Sequence, residues 1–239
     1  MSYTINREAF FNGVRKTLFG GRLKESQVSG IEAIIEKCEK RNLPLPYTAY
    51  ILATSYHETA FTMQAIEEFG RGKGLAYGSP AGPFNQRYYG RGHVQLTWLT
   101  NYRRMSEVVG KDLVKFPELA LDPDVSVEIL VTGMLRGMFT GKSLDDYYRV
   151  ETGEFDPVGA RRIVNGTDRA AKIANHYYDF LAALTSAKEA SPAPAPAPVP
   201  TTPENELDSP DLPKAAPPPL LQRVKDFFNF ITILLGVRK

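Results

Sequence analysis

Apolar and polar residues recur at helical spacing through most of the first 187 residues of this chain. Phe10, Phe11, Val14 and Leu18 mark one buried stripe, with Asn6 or Thr4 placed to cap its start and Gly20 and Gly21 its end. Ile31, Ile34, Ile35 and Cys38 mark a second, capped by Ser26 and stopped before Pro44 and Pro46. A third helix begins near Tyr47 and runs through "TAYILATSYHETA", where Ile51, Thr54, Ser55 and Glu58 share a face. In "LDPDVSVEILVTGMLRGMFTG", Asp122 caps a helix and Pro123 occupies its first turn. Gly133 and Gly137, one turn apart, permit close helix contact there, and Gly141 ends it. A last helix, "AAKIANHYYDFLAAL", closes the domain. Residues 69–102, rich in glycine and aromatics, lack the helical period, and loops and short strands of a cleft floor are expected there. The pattern predicts a mainly α domain over residues 1–187.

The pattern then breaks. Residues 188–219, with "SPAPAPAPVPTTPENELDSPDLPKAAPPP", carry repeated prolines that remove backbone donors and favour polyproline II, so they read as a semi-rigid linker. Residues 220–239, "LLQRVKDFFNFITILLGVRK", read as a C-terminal apolar and basic helix. The charge-free run from Phe227 to Val237 is shorter than the roughly 20 apolar residues of a membrane span. With Arg223, Lys225, Arg238 and Lys239 flanking it, an interfacial helix with snorkelling cations is one reading. The others are a helix that docks or self-associates, and a short span.

Composition narrows the classes. The hydrophobic share of 43% supplies a core, and a net charge of +2 marks no nucleic-acid partner while suiting an anionic polymer. The single cysteine, Cys38, excludes an intramolecular disulfide and a thiolate zinc cluster. In "MSYTINREAFFNGVRKTLFGG", Arg7, Glu8 and Arg15 interrupt any signal-like apolar run. Synthesis in a cytoplasm is expected, and action outside the membrane then needs another route of release.

The candidate chemistry starts in "ATSYHETAFTMQAIEEFGRG". Glu58 ends a half-apolar helix face, a partly desolvated setting that general acid chemistry uses; the alternative is a solvated charge. Glu67 follows nine residues later, about 13.5 Å along an unbroken helix. A chain that turns back near Thr62 lets the two face each other, as in inverting glycosidases, whose carboxyl groups stand about 6.5–9.5 Å apart. Glu68 reads as a solvated bystander. In "RYYGRGHVQLTWLTNY", Gly90 and Gly92 bracket Arg91 and allow close backbone approach. Gln95, Thr97 and Asn101 lie among Tyr88, Tyr89, Trp98 and Tyr102, the mix of amides, hydroxyls and ring faces that a sugar site uses. His57, His93 and His176 form no ligand set, since "HETAF" lacks the second histidine of H-E-x-x-H. No metal or cofactor is required.

In order, "SYHETA", "AIEEFG", "YYGRGHVQLTWLTNY" and "ARRIVNG" resemble the glycoside hydrolase family 19 (chitinase-like) domains, and within them the phage and prophage endolysins of Gram-negative bacteria. The resemblance covers roughly residues 3–185. It implies a lysozyme-like helical fold with a deep substrate cleft and an inverting mechanism. On the matching positions, Glu58 is the general acid, Glu67 the base and Thr97 a holder of the water. Gln95 and Asn101 bind the sugar, Asn165 lines the same cleft, and Lys172 is the nearest match to a basic residue of the last helix. His57 is a hydrogen-bonding neighbour of the acid, and Tyr89, Arg91 and Trp98 complete the substrate contacts. Two departures stand out: the plant-type "HETTGG" reads "HETAFT" here, and the plant disulfide cysteines are absent. They favour peptidoglycan glycan as the partner over chitin. A chitinase and a non-catalytic glycan-binding module are the other readings.

Overall fold

The computed structural model describes residues 3–190. The C-terminal helix expected at 220–239 lies outside them, as does the expected linker from residue 191 onward. The described chain is mainly helical: α1 (Arg7–Thr17), α2 (Glu25–Lys40), α3 (Leu45–Glu58), α4 (Leu99–Val109), α5 (Pro123–Leu135) and α6 (Ala170–Ala187). Three antiparallel strand pairs accompany them: β1 (Tyr3–Ile5) with β6 (Lys188–Ala190), β2 (Ile66–Glu67) with β3 (Arg91–Gly92), and β4 (Tyr148–Arg149) with β5 (Glu154–Phe155). Among the described residues no helix is long and apolar enough to cross a membrane.

Helix α3 is the axle of the domain. It is buried continuously from Tyr47 to Tyr56 and packs on α6, α2 and α5, while α1 lies on α6 and α2 on α5. A helix covered on every side shows little amphipathic period, because polar residues such as Thr48, Thr54 and Ser55 are buried with the rest. Its last residue, Glu58, is where the axle leaves the core.

Most predicted ends hold. Asn6 Oδ1 accepts the Ala9 N–H at 3.0 Å, and Asp122 Oδ1 accepts that of Val125 at 3.1 Å with Pro123 in the first turn. Three differ. Helix α2 begins before Ser26: Lys24 takes the cap position and Gln27 Oε1 accepts its N–H at 2.9 Å. Helix α3 starts at Leu45, since a proline in the first turn sacrifices no helical hydrogen bond. Helix α5 stops at Leu135, and the bare Cα of Gly133 receives the ring of Phe139, not a neighbouring helix. Helix α4 is additional to the expected set. The strand pair β1–β6 carries the folded chain to Ala190, three residues past the expected boundary.

A tight turn follows Glu58. Thr59 Oγ1 donates to the Ser55 carbonyl at 2.8 Å and accepts the Met63 N–H at 3.0 Å, reversing the chain. Gly30 of α2 lets this turn approach: a Cβ there would stand 1.6 Å from the Met63 carbonyl oxygen. Ala60, Phe61 and Met63 hold left-handed φ values of 49°, 69° and 55°. The chain then enters β2, and Glu67 pairs across to Arg91 of β3.

Candidate active site

A cleft of about 600 Å³ opens where α3 ends, walled by Glu58, by Glu68 and Tyr77, and by the 90–101 segment, with Phe139 and Asn165 on the remaining side. Glu58 is fixed by charge. Arg161 Nη1 donates to its Oε1 at 2.6 Å, with the arginine side chain 4% exposed and the glutamate 16%. Arg161 is itself held by Nε, which donates to the Asp168 carbonyl at 3.1 Å. Oε2 of Glu58 has no hydrogen bond to a described residue and is the oxygen left for a ligand.

The two glutamates after the turn take opposite roles, because successive strand residues face opposite ways. Glu68 Oε1 accepts from the Tyr77 hydroxyl at 2.8 Å, and Oε2 from the Gly90 N–H at 3.0 Å. Its carboxylate is a fixed part of the cleft wall, in contrast to the solvated bystander expected from sequence. Glu67 is outside the lining residues. It accepts from the Tyr89 hydroxyl at 2.6 Å and pairs with Arg71 at 2.7 Å, while Arg91 Nε stands 3.9 Å away. The Tyr89 hydrogen bond first, then the charges of Arg71 and Arg91, hold Glu67 below the ordinary carboxylate range and thus ionised.

The glycine-rich segment makes the other wall. Gly92 has φ +83°, and a Cβ there would lie 2.6 Å from Ser126 Oγ, so only glycine lets β3 seat on α5. Gln95 Nε2 bridges the Ile66 and Gly92 carbonyls at 3.1 Å each, tying β2 to the loop after β3. Thr97 Oγ1 donates to the Gln95 carbonyl at 2.7 Å, and Asn101 Nδ2 to the Thr97 carbonyl at 2.9 Å. Trp98 is 49% exposed and meets Tyr77 edge-on at 5.3 Å, leaving ring surface open to the cleft.

Of the residues singled out from sequence, Glu58, Gln95, Thr97, Trp98, Asn101 and Asn165 line the cleft. His57, Glu67, Tyr89, Arg91 and Lys172 stand behind or beside it. Arg91, expected to touch substrate, is 6% exposed. Its guanidinium lies 3.7 Å over the Tyr89 ring and donates to the Arg87 carbonyl and the Tyr102 hydroxyl, so it braces the loop from within. Lys172 Nζ sits 5.2 Å over the ring of Phe61. His57 Nδ1 is buried with no hydrogen-bond partner among the described residues, and burial followed by the charge of Arg161 lowers its pKa. Arg161 and Phe139 were not expected here. Arg161 sat within the quoted "ARRIVNG", but an arginine between Ala160 and Ile163 signals an ion partner only once the fold brings Glu58 to it.

Residues 68–179 match the family model described as chitinase class I, that of glycoside hydrolase family 19. The match begins at Glu68, so Glu58 and Glu67 precede it. An inactive chitinase-like protein 1 from Hevea brasiliensis is 33% identical over 96 residues, covering 39% of this chain and 30% of that protein. The matched stretch is therefore less than a third of that relative. Among solved structures, chitinase C from Streptomyces griseus HUT6037 superposes with a TM-score of 0.53 at 21% identity, covering 76% of each chain. A bacterial family 19 chitinase superposes with a TM-score of 0.52 at 22% identity, covering 75% of this chain and 94% of its own. These likenesses show the fold.

Proposed function

We propose that this chain, whose fold and matched residues support a glycoside hydrolase family 19 domain of the chitinase class I description, is a glycosidase of the endolysin type. Its substrate is the β-1,4-linked N-acetylhexosamine strand of bacterial peptidoglycan. The observation that carries a hydrolase is the placement of Glu58: a carboxylate delivered by the buried axle helix to a cleft wall, one oxygen locked by Arg161 and the other unbound.

Protonated Glu58 donates from Oε2 to the glycosidic oxygen as the C1–O bond breaks. Glu67, beside the cleft lining and ionised under Tyr89, Arg71 and Arg91, is the base that the family resemblance assigns, taking a proton from the water that adds to C1 on the opposite face. Thr97 holds that water, Gln95 and Asn101 bind the sugar, and the open ring of Trp98 covers a sugar face. Such a displacement inverts the anomeric centre, so the first product is the α-anomer. Synthesis in a host cytoplasm and release to the wall complete this reading, with membrane-surface contact through residues 220–239.

Chitin is the second substrate reading, favoured by the names of the similar solved proteins. The relative named inactive makes turnover itself the quantity to measure. Purified Gram-negative peptidoglycan and chitin oligomers are digested side by side, with Glu58→Gln as control. New reducing ends from peptidoglycan alone, lost in the variant, support the proposal; release from chitin alone reassigns the substrate. Silence on both leaves a glycan-binding module.

A further inference from the structure

A second groove of about 600 Å³ lies between the β4–β5 hairpin and α6. Two pairs of tyrosines converge on it, Tyr147 and Tyr148 from the start of the hairpin and Tyr177 and Tyr178 from the helix. None of these four hydroxyls bonds to a described residue. Apart from Tyr50, every other tyrosine donates to a protein oxygen, as Tyr47 does to Asp145 and Tyr88 to the Val114 carbonyl. Tyr177 is the telling case: 3% exposed, it lines the groove and has no hydrogen-bond partner. Its ring is buried while its hydroxyl opens into the groove without a partner among the described residues, where it can meet a ligand oxygen or N–H. Tyr178, 57% exposed, adds a free ring at the rim.

We propose that this groove is a second carbohydrate site, holding a further length of the N-acetylhexosamine polymer whose hydrolysis is proposed for the cleft, and the inference rests on that reading. Ring faces beside hydroxyl and carboxylate groups suit a sugar strand, which offers apolar faces and hydroxyl edges together. The charge agrees. On its walls Glu154 pairs with Arg149 at 3.2 Å and Asp146 with Lys142 at 3.6 Å, which leaves Asp156 as the carboxylate without an ion pair among the described residues, so the groove suits the neutral sugar backbone of the strand rather than its charged side groups. The groove also shares a segment with the cleft. Asp156, on its wall, accepts the Val158 and Gly159 N–H groups and starts the turn that carries Arg161 to Glu58. A polymer held at the groove is thereby kept beside the catalytic domain between cuts.

The test uses the full chain and the N-acetylglucosamine hexasaccharide. With Glu58→Gln to stop turnover, calorimetric titration is expected to show two binding events. Tyr178→Ala should weaken one of them about tenfold, the equivalent of 1.4 kcal/mol, and Tyr178→Phe, which keeps the ring, should retain most of it. In the chain with Glu58, Tyr178→Ala should leave turnover of short oligomers unchanged and slow release from insoluble polymer severalfold. Full binding and full polymer release by Tyr178→Ala overturn the groove proposal and leave the cleft reading standing. A cationic peptide that perturbs Tyr178 while the hexasaccharide does not also overturns it. Hexasaccharide that binds nowhere, with no turnover of any glycan, removes the cleft reading and the groove with it.

Discussion

Glu58 and Glu67 are nine residues apart, yet their surroundings have little in common. Glu58 has one partner, the guanidinium of Arg161, in a nearly dry setting. Arg161→Met removes a buried charge partner and should destabilise by roughly 3–5 kcal/mol, because the carboxylate stays behind unpaired. Urea denaturation with the double variant Arg161→Met, Glu58→Gln checks the origin: much of the loss should return. Glu67 is governed by the hydroxyl of Tyr89. Tyr89→Phe should raise the Glu67 pKa and move the acidic limb of the kcat/KM profile to higher pH, with the plateau less affected. An unmoved acidic limb would mean that Glu67 is not the group titrating in the unliganded protein. Trp98→Ala, at an open ring on the cleft wall, should raise KM more than it lowers kcat.

Among the elements, the turn after α3 decides where the second carboxylate goes. It is held by a backbone-to-backbone contact at Gly30, so Gly30→Ala must push the Met63–Gln64 peptide away and carry β2 with it. A loss of about 1–3 kcal/mol is expected in thermal melts, of the size overpacking causes, together with a fall in turnover. The helices were legible because caps and stripes are local: Asn6 and Asp122 announce their own helices. What stayed hidden depended on distant partners. Arg161 gains its meaning from a residue 103 positions away, and Arg91 looked like a ligand contact until Tyr89 and Tyr102 enclosed it. Glu67 and Glu68 are alike as letters; only the pairing of β2 with β3 sends Glu68 to the wall.

At the scale of the molecule, buried histidines tie the domain's stability to pH. His93 is enclosed, its Nδ1 2.8 Å from Ser55 Oγ, and burial lowers its pKa to about 4 from an ordinary 6.5. The unfolded chain therefore binds the extra proton first, and stability falls as pH drops from 6.5 towards 4, by roughly 3 kcal/mol from this residue. His57 and His176, also lowered, act in the same direction. Melting temperatures across that range should fall in the parent and fall less in His93→Gln, whatever that variant costs at neutral pH.

The pairing of β1 with β6 sets Tyr3 opposite Ala190, so the chain enters and leaves the folded unit at one point. A body with adjacent ends behaves as a cassette: it can be set into a loop of another protein, or have its ends joined and be reopened elsewhere, without stretching its core. Reopening within the exposed stretch at residues 151–153 tests this, and a permuted chain that melts near the parent temperature would make the domain a portable part.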